Sequence, residues 1–422
     1  MAQSRGTRWV LLGILLVALG LRVGWLAADP HPYYEAAMAQ DFGGVAQQVE
    51  QGRGVLLGYD SASWTEMQRT HRLTDPASTP THAALAPLLL PGIPAVTAGV
   101  WKLTGDHFLP VLLLMVLLDV LNVWLVFLVG RRMLGVRPAL VAAGLYAVCP
   151  MAMGFSHTLQ DGTPTVTIVL LALLVSSRAR DIPWWRTALL LGVVGGFGAY
   201  VRSNAMPFVV AAAVGLLPLL GWRRGMKVVA VSAACAYGIF LPWIVRDAIE
   251  LHSFLPLGRT GIGQTLYEGL SPTPDDQRTY REAQAAGFSG PYGTVAYDDY
   301  LGSRFLAVMR DSPGTVVSAF FRHAQASAVL SRRGDEPPVL GSVMDAMGES
   351  LALLALLGLA RSWRRWRELA PLLLVGLSVW ASQWPFLTAL RFSLAILPVQ
   401  CLLAASVLTS VRRVNSALSA WA

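Results

Sequence analysis

The chain has 422 residues, of which 54% are hydrophobic, and a formal charge of +8 at pH 7. That is too apolar for a water-soluble globule, and the length leaves room for many crossings, so a single membrane domain over 1–422 is the simplest division. The basic excess does not point to nucleic acid, because the arginines fall in short clusters between apolar runs, where membrane topology accounts for them.

The N-terminus carries a basic flank, Arg5 and Arg8, and an apolar core, Trp9 to Ala28, of the roughly 20 residues that cross a bilayer. It reads as an uncleaved first span or as a signal peptide ending in LAADP. Arg22, near the outer end, must snorkel or pair with an anion. Residues 29–106 then form a first outward loop. Within it QDFGGVAQQVEQGRG sets Asp41 before a short amphipathic helix, where its carboxylate is either a general base toward a hydroxyl or an N-cap. The segment PGIPAVTAGVWKLTG (91–105) is apolar but rich in proline and reads as a helix lying at the outer interface. The second span, Pro110 to Gly130, contains Asp119 and Asn122 one turn apart. An acid there is costly unless paired, so it serves an interhelical hydrogen bond or, in a transporter, a proton relay.

Further basic clusters follow: RRMLGVR (131–137), RARDIPWWR (178–186), GWRRGMK (221–227), RSWRRWR (361–367) and VRR at 411. Assigning them and Arg5/Arg8 to the cytoplasm gives about ten spans with both termini inside. Three spans, near 163–177, 187–201 and 346–360, fall below the usual lower limit of roughly 17 residues and are expected to be tilted, kinked or partly re-entrant. A large outward loop covers 246–343, and the last three spans lie in 344–422. All seven histidines and most carboxylates fall on the outward side, where chemistry is therefore expected. In SHTLQDGTP, His157 and Asp161 stand four apart and share a face if the segment is helical. They would then pair or share a metal with Asp41; the other reading is a cap or turn at Asp161, which Asp-Gly followed by Pro favours. Arg202, Arg246, Arg322 and Arg391 recur where outward loops meet spans, and either snorkel or converge on a lipid phosphate. Cys149, Cys235 and Cys401 lie within apolar runs and form no disulfide or zinc pattern. No internal repeat is visible, which weakens a transporter reading.

Several segments, in this order, resemble glycosyltransferase family 39, the GT-C type of integral membrane glycosyltransferase that includes protein O-mannosyltransferases and the aminoarabinose transferase of lipid A. They are LGLRVGW, Asp41 with a helix ending in GRG, PGIPAVTAGVWKLTG, GRRMLG, AVCPMAMGFSHTLQD, LLLGVVGGFGAYVRSNAMPF, LPWIVRDAIELHSFLPLGRTGIGQTLYEG and LRFSLAILPVQCLLAA. The resemblance implies an all-α, polytopic GT-C-like fold with outward juxtamembrane helices and two long outward loops. It implies inverting transfer of a sugar from a polyprenyl-phosphate donor to a glycan, lipid or protein acceptor, on the outer (periplasmic or extracytoplasmic) side of the plasma (inner) membrane. Asp41 stands in the place of the catalytic first-loop aspartate, and Asp161 in that of a second acidic residue that shapes the site. Arg202, Arg246, Arg322 and Arg391 are the phosphate-binding candidates; Asp41, His157 and Asp161 are the ligands if a divalent metal takes part. Members commonly carry Asp-Glu, or a Tyr four residues after the Asp, whereas this chain has Asp41-Phe42 and Val45, which makes Glu35 in HPYYEAA the reserve base. Asp247 stands where Asn is common, and acceptor recognition is expected of the loop 246–343. Two other classes stay open: a transporter or flippase of a lipid-linked saccharide, centred on Asp119, and a polysaccharide polymerase or ligase using lipid diphosphates.

Overall fold

The structure, a computed structural model, describes residues 5–28, 36–57, 84–85, 89–105, 107–272, 275–290, 292–328, 338–386 and 390–419. Helix α1 (Arg5–Ala28) is followed by α2 (Ala36–Glu50), a two-residue antiparallel pair of β1 (Leu56–Leu57) with β2 (Ala84–Leu85), and α3 (Gly92–Thr104). Then come α4 (Phe108–Met133), α5 (Val136–Ala147), α6 (Pro150–Phe155), α7 (Gly162–Ser177) and α8 (Trp184–Val201). The bundle continues with α9 (Ala205–Val214), α10 (Leu217–Leu220) and the long α11 (Trp222–Glu250). A lobe of shorter helices intervenes: α12 (Ile262–Glu268), α13 (Asp276–Ala285), α14 (Val295–Asp311) and α15 (Pro313–Ala328). The last helices are α16 (Pro338–Ser362), α17 (Trp366–Ala381), α18 (Leu390–Ser393) and α19 (Leu397–Ser419).

Among the described residues, Arg5–Ala28, Phe108–Met133, Trp222–Glu250, Val343–Ala381 and Arg391–Thr409 are long and apolar enough to cross a membrane. Val136–Ala147, Gly162–Ser177 and Ala205–Leu220 are shorter apolar helices. The stretch Val343–Ala381 holds two helices divided by a 3-10 turn at Trp363–Arg365. The outer faces of this bundle expose Leu117, Phe197 and Leu356, each more than half accessible, a surface that suits hydrocarbon rather than water. The chain is an integral membrane protein. Helix α3 has 13 residues, about 20 Å at 1.5 Å per residue, which is short of a hydrocarbon core of about 30 Å. It buries Ile93, Pro94, Thr97, Ala98 and Trp101 along one face and packs beside α2.

With no hydrophobic drive between lipid-bathed helices, close approach depends on small residues. A Cβ on Gly192 of α8 would lie 2.5 Å from the Cys235 Cβ of α11, and one on Gly196 would lie 2.6 Å from the Ile239 Cβ. Polar groups fasten the interior. Arg22 Nε and Nη2 each lie 2.6 Å from Asp119 Oδ2, and the Tyr146 hydroxyl donates to Oδ1 at 2.7 Å. Arg22 Nη1 also donates to the Ala18 and Ala147 carbonyls. Asn122 Nδ2 donates to Asp119 Oδ1 and to the Thr163 carbonyl, while its Oδ1 accepts from Thr167 Oγ1 at 2.8 Å. The interhelical reading of Asp119 is therefore the one observed, and Arg22 meets its anion inside the bundle instead of snorkelling. The network ties α1, α4 and α5 to the first turns of α7.

Three of the basic clusters meet at one end of the bundle. Arg132 pairs with Asp181 at 2.6 Å, and Arg365 Nη2 donates to the Met133 carbonyl at 3.0 Å, linking three clusters that are distant in sequence. The opposite end brings together the start of α7, the ends of α8 and α11, and the start of α18.

Candidate active site

After α6 the chain turns through 156–161 before α7 begins. Asp161 occupies the N-cap position of α7, yet its carboxylate accepts no capping bond; Oδ2 instead lies 3.6 Å from Arg202 Nε. The cap reading of Asp161 is thus corrected: a nearby guanidinium competes for the carboxylate. Arg202 follows directly on α8 in extended conformation and is 5% exposed. Its Nη1 donates to the Arg391 carbonyl at 3.3 Å, and its guanidinium carbon lies 4.6 Å from the centre of the Phe392 ring. The Arg391 guanidinium lies 4.6 Å from the same ring. This is a cation–π arrangement that places two positive groups around one aromatic. The start of α7 is pressed against that segment, since a Cβ on Gly162 would sit 3.4 Å from Leu394 Cδ2.

A third arginine joins them. Arg259 stands in the turn after α11, close enough to Asp161 and Arg391 to feel both charges. Burial pulls its guanidinium below the usual range, Asp161 and Asp298 oppose that shift, and Arg391 adds to it. The turn is held rigidly: Trp243 Nε1 donates to the Gly258 carbonyl at 2.8 Å, the Tyr237 hydroxyl to Pro256 at 3.0 Å, and Thr260 Oγ1 to Gly293 at 3.0 Å. Gly258 has φ +63, and a Cβ there would lie 2.5 Å from Phe240 Cζ, so only glycine fits. Three guanidiniums set against Asp161 and Asp298 leave a net positive charge, with forked donors suited to a phosphate.

The other sequence-derived residues are placed elsewhere or not described. Arg246 pairs with Asp247 Oδ1 at 2.8 Å and Glu250 Oε2 at 2.6 Å, and stacks over Trp243. Two carboxylates already match its charge. Arg322 Nη2 donates to the Gly269 and Leu270 carbonyls, tying α15 to the end of α12. His157 does not share a helical face with Asp161, because α6 ends at Phe155; its Nδ1 lies 3.4 Å from the Met153 carbonyl. Asp41 lies within α2, which starts at Ala36, so it is not an N-cap; its side chain and Glu35 lie outside the described residues. The next residues of α2, Phe42, Val45 and Ala46, share one apolar cluster with Leu159, two positions before Asp161. Among the described residues no three His, Cys, Asp or Glu side chains come together as for a metal. The guanidiniums beside Asp161 suit an anion better than a divalent cation. Sequence reasoning missed Arg259, although its setting in LGRTGIG, an arginine inside a glycine-rich turn, was the available signal.

The fold defines a GT-C-like polytopic α-helical membrane protein. The sequence profile of the family described as dolichyl-phosphate-mannose-protein mannosyltransferase matches residues 86–245, the stretch that carries Asp161 and Arg202. The fold is shared with the oligosaccharyltransferase AglB of the archaeon Archaeoglobus fulgidus, solved with an inhibitory peptide and a dolichol-phosphate: TM-score 0.55, 15% identity, 99% of this chain and 52% of that one. The apo form of the Archaeoglobus fulgidus oligosaccharyltransferase superposes with a TM-score of 0.57 at 14% identity, over 99% of this chain and 52% of that one. The chain thus spans about half the length of those enzymes. No curated protein sequence matches it. The resemblance read from the sequence is borne out by the profile and by the fold.

Proposed function

We propose that the chain is a membrane glycosyltransferase that moves a sugar from a polyprenyl-phosphate donor to an acceptor hydroxyl at the outward face, with inversion at the anomeric carbon. The observation that carries this reading is the approach of Arg202 to Asp161 and the packing of Arg202 and Arg391 against Phe392, with Arg259 within electrostatic reach, at one end of an apolar bundle. The oligosaccharyltransferase that shares the fold was solved with a dolichol-phosphate, a ligand of the same chemistry.

In this mechanism Asp41 takes the proton of the acceptor hydroxyl while the oxygen attacks the anomeric carbon. The bond from that carbon to the phosphate oxygen breaks, its electron pair stays on the phosphate, and polyprenyl phosphate departs with one more negative charge. Arg202, Arg259 and Arg391 stabilise that charge; in a water-poor site such donors act more strongly than in bulk solvent. Asp161 keeps the Arg202 guanidinium oriented. The shared apolar cluster of Phe42, Val45 and Leu159 supports bringing α2, and with it Asp41, to the same end as Asp161. The lobe 262–311 is the part of the loop 246–343 best built for acceptor choice. Its core of Tyr297, Leu301 and Ala283 is ringed by Tyr267, Tyr280, Phe288 and Tyr300.

The experiment is sugar transfer in proteoliposomes from a panel of polyprenyl-monophosphate sugars, comparing wild type with Asp41→Asn. Transfer by the wild type and a loss of about a hundredfold or more in the variant are expected for a removed general base. Transfer retained by Asp41→Asn moves the base to Glu35. No transfer by either protein from any donor rejects the reading.

A further inference from the structure

Three residues beside the arginines in sequence carry polar side-chain atoms that are shielded from solvent and without a hydrogen-bond partner. Gln160 precedes Asp161, is 2% exposed, and leaves both its Nε2 and Oε1 unpaired. Ser393 lies two residues after Arg391, is 2% exposed, and leaves its Oγ unpaired. Asn204 lies two residues after Arg202, at the N-cap position of α9, but makes no capping bond; its buried Oδ1 is unpaired. Asn is among the best N-caps, so a cap left unmade is itself a departure from local chemistry. The three segments are tied together by the Arg202–Asp161 approach, the Arg202–Arg391 hydrogen bond and the seat of Leu394 against Gly162.

Buried polar atoms in native proteins are nearly always paired, and each exception calls for an explanation. The composition of this set narrows what would pair with it. A phosphate is served by the guanidiniums, and a cation would call for carboxylates. Two carboxamides and a hydroxyl, neutral and offering both donors and acceptors, match a ligand whose groups are themselves both, namely the hydroxyls of a sugar.

Resting on the glycosyltransferase reading above, we infer that Gln160, Asn204 and Ser393 form a hydroxyl-recognition subsite for the sugar carried by the lipid phosphate. Arg202, Arg259 and Arg391 hold the phosphate, and these three residues select what is attached to it.

The test is binding, read as ligand-induced thermal stabilisation and as affinity, for wild type, Gln160→Met and Ser393→Ala. The probes are polyprenyl phosphate, polyprenyl-phosphate mannose, glucose and a pentose, and free methyl glycosides. The expected result is that one sugar-bearing lipid binds the wild type about tenfold or more tighter than bare polyprenyl phosphate. Gln160→Met and Ser393→Ala are then expected to lose that increment, to bind the bare lipid as before, and to unfold no earlier than wild type in the absence of ligand. A structural amide would behave in the opposite way, lowering unliganded stability and weakening both lipids together. That result overturns the inference, as does an increment that survives both substitutions or an unchanged affinity with every sugar. Should Gln160→Met fail to fold, Ser393→Ala decides alone. Failure of every polyprenyl phosphate, bare or sugar-bearing, to bind wild type overturns the glycosyltransferase reading and the donor subsite with it, whereas binding of the bare lipid with no sugar increment overturns the subsite alone. Glycoside binding without a lipid increment assigns the subsite to the acceptor and overturns its assignment to the donor.

Discussion

The two ends of the bundle are built from the same residue type and behave in opposite ways. At one end Arg132 and Arg365 are partly exposed, with side chains 34% and 53% accessible, and pair with Asp181 and Glu368 at the surface. At the other, Arg202 has a side chain only 6% accessible, beside a carboxylate that is 15% accessible. Exposed arginines are screened by water and act mainly through membrane topology; buried ones keep their field and act on whatever anion reaches them. The difference is one of burial and convergence, not composition.

That contrast can be calibrated from the middle of the bundle outward. Arg22→Met is expected to have the largest effect, a loss of about 3–5 kcal/mol, because it strands the buried Asp119. Thermal unfolding in detergent measures it, and the double variant Arg22→Met with Asp119→Leu should recover most of the loss. Arg259→Ala and Arg391→Ala are next, each lowering transfer by about a hundred- to a thousandfold, as for a removed donor at a developing charge. Rates of transfer in proteoliposomes check this. Conservative Arg391→Lys keeps the charge but loses the fork and the stacking on Phe392, so an intermediate fall of roughly tenfold is expected. At the far end, Arg132→Ala should change stability by only about 0–1 kcal/mol and leave transfer intact. A large catalytic effect of Arg132→Ala would break the contrast between the ends.

Reading the site from sequence failed in instructive places. Arg246 looked equivalent to Arg202, yet carboxylates one and four positions later on the same helix neutralise it. That spacing was visible in RDAIE, but its weight depended on Asp247 being fully buried. Arg322 was drawn away by backbone carbonyls at the end of α12, partners that no side-chain pattern records. His157 and Asp161 were four apart in sequence but not on one helix, because α6 stops at Phe155 and the chain turns before α7.

By itself the sequence determined that the chain is a polytopic, largely helical membrane protein, with its basic residues in short clusters between apolar runs. Those properties follow from local composition and from lengths set by the bilayer, which need no knowledge of neighbours. It also carried the resemblance that the family profile and the shared fold bear out. Only the tertiary structure decided that Asp119 is held by Arg22, and that Arg202 approaches Asp161 and bonds to the Arg391 carbonyl, with Arg259 within electrostatic reach, while Arg246 and Arg322 find other partners. Convergence of side chains from the ends of separate helices is set by packing across the bundle, by Gly192 and Gly196 in α8 and the rigid turn at Gly258 among others, and such long-range contacts leave no periodic trace in the chain.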